Sequence, residues 1–212
     1  KMSVLAGRES IERDTGSPGG GRSFLENRLI PSLVALLGSD LTAPERADAG
    51  VALAHLGDPR FDPEAWYLPT EDLLGFVEIP EGPFLMGSDP RQDKEAFDNE
   101  HDQHPVTLPR YYIARYPVTV AQFRRFVEES GYKLSDEASL QGLSNHPVVN
   151  VTWHDTITYC KWLTDELRNS ARTPEPLAVV LRRHSWRITL PSEAQWEKAA
   201  RGTDGRNYPW GD

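Results

Sequence analysis

At four places along this chain a hydroxyl side chain with Glu, Gln or Asp three places later opens a short apolar-periodic run: Thr42/Glu45, Thr119/Gln122, Thr152/Asp155 and Ser192/Gln195. Such a pair satisfies the free N–H groups that open a helix, so each marks a helix start. Apolar residues recur behind each start at three- and four-residue spacing for only a few turns. Gly57 and Gly131 then close two of the runs. With 16 Gly and 17 Pro among 212 residues, the remainder reads as loops and short strands, which excludes a plain helical bundle.

Residues 1–22 read as a flexible linker rich in Gly and Ser. Residues 23–58 read as a helical pair, a solenoid-like cap. Phe24, Leu25, Leu29, Leu33, Leu36 and Leu37 build the first helix, and Val51, Leu53, Ala54 and Leu56 build the second. One such pair cannot bury both faces, so it must pack on something else. Pro59, Pro63 and Pro69 make residues 59–75 an extended connector. From residue 76 to 212 the texture is that of a second domain. Phe76–Ile79 and Phe84–Gly87 around Gly82-Pro83 read as a β-hairpin, and 88–104 as a polar loop. Val106 to Ile113, Val148 to Val151 and Trp186 to Leu190 read as strands, and the Arg-rich 169–183 as a loop.

Charge and length narrow the function classes. The chain carries 23 Lys+Arg against 32 Asp+Glu, a net charge of -9, which disfavours phosphate backbones and makes nucleic acid an unexpected partner. No apolar run approaches the roughly 20 residues of a membrane helix, so no membrane partner is expected. The start of the sequence carries no signal-type leader, and the expected location is cytoplasmic. Cys160 is the single cysteine, so these residues hold neither an intrachain disulfide nor a multi-cysteine metal site.

The candidate site residues have bland readings beside their chemical ones. Cys160, between Tyr159 and Trp162, reads as a buried small hydrophobe rather than a reactive thiol. Glu100, His101, Asp102 and His104 have metal-compatible spacing but sit in a solvated acidic stretch. Asp155 completes a helix cap and suits the dipole. Trp153, Trp162, Trp196 and Trp210 read as core. Arg168, Arg172, Arg182, Arg183 and Arg187 form the one basic concentration, a solvated loop or a patch for an acidic partner. From these residues no catalytic, cofactor-binding or metal-binding residue is assigned.

Four ordered segments carry a resemblance. They are Ile79-Pro80-Glu81-Gly82-Pro83-Phe84-Leu85-Met86-Gly87-Ser88, then Tyr116-Pro117-Val118-Thr119, then His146-Pro147-Val148-Val149-Asn150-Val151-Thr152-Trp153-His154-Asp155, and last Leu190-Pro191-Ser192-Glu193-Ala194-Gln195-Trp196-Glu197-Lys198-Ala199-Ala200-Arg201-Gly202 with Tyr208-Pro209-Trp210-Gly211-Asp212. Together they resemble the formylglycine-generating enzyme family, the sulfatase-modifying factor domain. The resemblance implies an α+β, C-type-lectin-like fold of low regular content over 76–212, apparently incomplete at its C-terminus. In that family the catalytic cysteine pair and the calcium ligands lie beyond the position of Asp212, and Cys160 matches a structural position. No cofactor is therefore expected in this chain, with calcium and copper belonging to the absent half. The expected function is a non-catalytic module that binds a protein or peptide ligand within a larger bacterial multidomain protein of signalling, defence or variable-protein type, beside an upstream effector domain. The alternative is a copper-dependent oxidase that converts a protein cysteine to formylglycine, with its catalytic half outside this chain. The tryptophans and the terminal loop are expected to have been shaped against polypeptide beyond these residues.

Overall fold

A computed structural model describes residues 20–91, 93–206 and 208–211. Most of the expected 1–22 linker lies outside the described residues. The first helix, α1, runs through Gly20–Phe24, a π-helical stretch Leu25–Leu29, and Ile30–Leu37. The Ile30 N–H reaches back to Leu25 O. Pro31 follows and has no N–H to give, so the ladder widens for one turn just where a proline interrupts it. Helix α2, Ala43–Leu56, opens on the Thr42/Glu45 box with Pro44 in its first turn. Leu29 and Leu33 of α1 pack on Ala49, Ala52 and Leu53 of α2 in a small core of their own.

This pair is joined to the rest by polar bonds. Asn145 Nδ2 donates to Gly50 O at 3.0 Å and to Asp58 Oδ2 at 2.8 Å, and Ser144 Oγ donates to Ala54 O. Arg60 grips the same Asp58 carboxylate at 2.6 Å. Burial alone would raise the Asp58 pKa, but the Arg60 and Asn145 bonds bring it below its ordinary value. The same 144–146 stretch serves helix α3, Val120–Ser130, whose first N–H groups at Val120 and Ala121 donate to His146 O and Ser144 O. One loop thus caps a helix of the domain and grasps the last turns of the helical pair.

The strands form three two-stranded antiparallel sheets. They pair β1 (Phe61–Asp62) with β2 (Leu68–Pro69), β3 (Phe76–Ile79) with β6 (Tyr111–Ala114), and β4 (Gly82–Met86) with β5 (His104–Leu108). The expected hairpin between residues 76 and 87 is not there. β3 and β4 are consecutive but belong to different sheets, with Phe76 opposite Ala114 and Gly82 opposite Leu108. Gly82 lies inside β4 at φ +134°, not at a hairpin tip. The link is held instead by Lys198, whose Nζ donates to Pro80 O at 2.8 Å and Gly82 O at 2.9 Å. Residues 59–75, expected as a bare connector, contain the β1–β2 pair and bury Ala65 and Leu68.

The main core lies between α3 and α4, Trp153–Asn169. Phe123 and Phe126 meet Tyr159, Leu163 and Leu167, with Leu68 of β2 and Leu181 beyond them. Phe126 stands edge-on to Tyr159 with ring centroids 5.7 Å apart, an arrangement favoured by the ring quadrupoles. The 169–183 segment is not a loop but carries helix α5, Glu175–Arg183. Its prolines stand at the N-cap and in the first turn, where they cost no hydrogen bond, and Leu177, Ala178, Val180 and Leu181 form its buried face. Val148–Val151 is not a strand. Among the described residues its ladder-like contact is Val148 N–H to Val118 O, next to the Thr119–Pro147 bridge, and Asn150 breaks the extension at φ +58°. Trp186–Leu190 runs outside any strand.

Asp155 and helix α6, Glu193–Arg201, carry the polar part of the interior. Asp155 is 1% exposed. It accepts from Thr152 N and Oγ1, Tyr132 OH and Ser135 Oγ at 2.7–3.1 Å. Burial pushes its pKa up, and these four donors overcome that and hold it at about 2, against an ordinary 3.8. The folded-state pKa is depressed, so the contribution is full above about pH 4 and is lost as pH falls towards 2. Asp155→Ala should cost about 2–3 kcal/mol at neutral pH. Urea melts of the variant and the parent should converge as the pH is lowered from 4 towards 2. Lys198→Met strands the Pro80 and Gly82 carbonyls together and should cost about 2–3 kcal/mol by the same measurement.

Candidate functional site

The described residues line an open cavity of about 820 Å³ between β6 and the helices α4, α5 and α6. Tyr159, Cys160 and Leu163 of α4 form its floor, Leu177 and Leu181 of α5 one wall, and Tyr111–Ala114 of β6 the opposite wall. The space is open to solvent on one side and lined mainly by apolar and aromatic side chains. Its size falls within the range of ligand pockets.

Cys160 faces this cavity as the one thiol. It is buried, and burial pushes its pKa up to about 11. No cation stands beside it to favour the thiolate, so the expected inert reading fits the geometry. Glu100, His101, Asp102 and His104 are strung along one strand entry rather than around a point. His104 Nδ1 lies 2.8 Å from the Asp102 carbonyl, and no group of three potential ligands converges among the described residues. Gly87 packs against this stretch at φ +85°. A Cβ there would sit 2.7 Å from Glu100 O, so only glycine permits the approach.

Two of the five expected basic residues, Arg168 and Arg182, bond to backbone carbonyls. Arg168 donates to Leu181 O and Trp186 O, and Arg182 donates to Arg168 O and Ser170 O. Arg172 pairs with Asp62 and Glu64 at 3.9 and 3.7 Å. Arg168 and Arg182 tie α5 to the end of α4, whereas the Arg172 pairs are long and exposed. The tryptophans divide differently from the core expectation. Trp162 packs on Phe126 and Tyr159. Trp153 and Trp196 are each 62% exposed and Trp210 83% exposed, the last stacked on Tyr208 at 5.4 Å. Each of these three lies at a helix start or in a turn where the described residues supply no facing layer.

Sequence reasoning passed over the mouth of the cavity. Arg110 stands 5.8 Å over the Trp186 ring, and Tyr112 meets the same ring edge-on at 5.9 Å. The Tyr112 hydroxyl donates to Glu78 at 2.7 Å. Arg110 just before β6 and Tyr112 on it were the available signal, but the partner Trp186 is 74 positions beyond Tyr112 and nothing local announces it.

The Sulfatase-modifying factor enzyme 1-like domain model matches residues 66–212. The formylglycine-generating enzyme of Thermomonospora curvata is 28% identical over 68% of this chain and 54% of its own length. The hercynine oxygenase of Mycolicibacterium smegmatis is 27% identical over 64% of this chain and 34% of its own. The structure of PvdO from Pseudomonas aeruginosa superposes at a TM-score of 0.49 with 24% identity, covering 63% of this chain and 49% of that one. The chain spans about half the length, or less, of the curated relatives it matches. With the capped helices, the α+β architecture and a family match over most of its residues, the chain belongs to the sulfatase-modifying factor enzyme 1-like domain family.

Proposed function

We propose that this chain acts as a non-catalytic binding module of a larger multidomain protein and takes a protein or peptide ligand in the cavity beside β6. The observation that carries this reading is the pairing of an open apolar cavity with a single, inert thiol on its floor. A copper site built on two thiolates suits a soft ion. The described residues hold one cysteine, buried and protonated at neutral pH, and so do not fit that donor set. The helical pair, tied on through Asn145 and Asp58, is the point of attachment to an upstream effector.

The second reading is the copper-dependent formylglycine-generating oxidase, with the thiolate pair outside these residues. The formylglycine-generating enzymes among the relatives, of which this chain spans about half, favour it. No step of that chemistry is assigned to residues present here.

Thiol chemistry separates the two. With a pKa of about 11, Cys160 should react with iodoacetamide at pH 7 at least 100-fold more slowly than free cysteine, and the rate should climb steadily to pH 10. Copper(I) titration of the longer protein that carries this chain should give no tight, thiolate-dependent site. A thiolate-dependent copper site, or aldehyde formed on a cysteine peptide in air, would remove the binding-module reading.

A further inference from the structure

The helical pair and the domain keep separate cores. Leu29 and Leu33 of α1 bury against Ala49, Ala52 and Leu53 of α2, and none of these residues belongs to the cluster around Phe123, Phe126 and Tyr159. One loop supplies polar bonds between the two: Ser144 Oγ donates to Ala54 O at 3.2 Å and Asn145 Nδ2 to Gly50 O at 3.0 Å. Such bonds exchange for bonds to water at small net cost, whereas parting a shared apolar core would not. Gly57, at φ +92°, is the one residue between α2 and Asp58. Asp58 itself stays on the domain side, held by Arg60 and by Asn145. The pair can therefore part from the domain as a unit, turning at Gly57 and leaving both cores intact.

The same loop completes the N-terminus of α3. Its Ser144 and His146 carbonyls accept from the Ala121 and Val120 N–H groups, both at 2.9 Å, on either side of the Asn145 side chain that holds α2. The Thr119 hydroxyl answers the Gln122 N–H. The first two N–H groups of the helix have no carbonyl a turn behind them, so they depend on where the loop sits. Within the same turn Phe123 packs on Tyr159 of α4, with ring centroids 5.7 Å apart. A shift of the loop thus reaches the main core through α3. We propose that the helical pair is a latch. Docked, it fixes residues 144–146 and keeps the first turn of α3 closed. Undocked, it frees the loop, and that turn opens more often. The latch goes beyond the binding-module reading and stands under either reading of the function, because it rests on bonds between residues present here.

The test is peptide-resolved hydrogen exchange on the longer protein that carries this chain. Leu33→Ala loosens the pair from inside its own core. It should speed exchange in 118–123 by about 10-fold or more, together with 30–56, while 155–167 of α4 and 195–201 of α6 keep their protection. Leu33→Val, a milder loss, should give the same pattern on a smaller scale. Asn145→Ala should speed 118–123 to a similar extent while 30–37 of α1 stays protected. In the double variant Leu33→Ala/Asn145→Ala, 118–123 should exchange no faster than in Asn145→Ala alone, because the link through which Leu33 acts is already cut. Additive effects in the double variant overturn the latch, as does an unchanged 118–123 when Leu33→Ala speeds 30–56. Equal acceleration of every segment in both Leu33 variants overturns it too, since pair and domain would then open as one unit.

Discussion

Helix α6 grips the strands with polar side chains, and the rest of the domain depends on that grip. Lys198, almost fully buried, donates to two carbonyls that flank the crossing from β3 to β4. Glu197 accepts from the Gly87 N–H at 2.8 Å and from Arg201 at 2.6 Å, and Arg201 returns to the Gly87 carbonyl at 2.7 Å. Gly87 is thus held at both its backbone groups by one helix. Two-stranded sheets are marginal alone, and β4–β5 gains through these bonds the anchoring that a third strand or an apolar layer would otherwise supply. Bonds to charged donors in a dry setting are stronger than neutral ones, and leaving any one partner stranded is costly.

How much of this was legible follows from where each constraint lies in sequence. The four capped helix starts were readable because box and helix sit within four residues of each other. All four boxes form as written, with Thr119/Gln122, Thr152/Asp155 and Ser192/Gln195 closing reciprocally around their N-termini. Asp155 was legible as a cap but not as a cross-link, since Tyr132 and Ser135 approach from 23 and 20 positions away. The β3–β4 hairpin was misread because its local pattern is that of a hairpin. What separates the two strands is Lys198, more than 110 residues on. Helix α5 was missed because two prolines and a run of arginines suggest a loop by composition. Their positions, in the first turn and the last, are those a helix accepts.

The tryptophans show the same limit from the other side. Composition placed them in a core, and the residue type alone supports that. Only the packing of neighbours decides it, and Trp162 has Phe126 and Tyr159 where Trp196 and Trp210 have no such layer among the described residues. The cavity was invisible for a related reason. Its walls come from β6, the floor of α4, the face of α5 and the 186–191 stretch, and β6 lies far from the other three in the chain.

These features fit one physical arrangement. The helices and strands of this domain are fastened to one another by Asp155, Arg168, Lys198 and Arg201 as well as by apolar contact. Apolar burial is non-directional and would tend to collapse a void of 820 Å³. Hydrogen bonds of fixed length to backbone carbonyls resist that collapse, because shortening the gap would break them. The Arg168 bonds to Leu181 O and Trp186 O hold α5 and the 186–191 stretch at a set distance from α4, and the Tyr111 hydroxyl on Gln195 O does the same between β6 and α6. The polar fastenings therefore set the spacing of the elements that border the apolar cavity, and burial sets only that apolar faces meet.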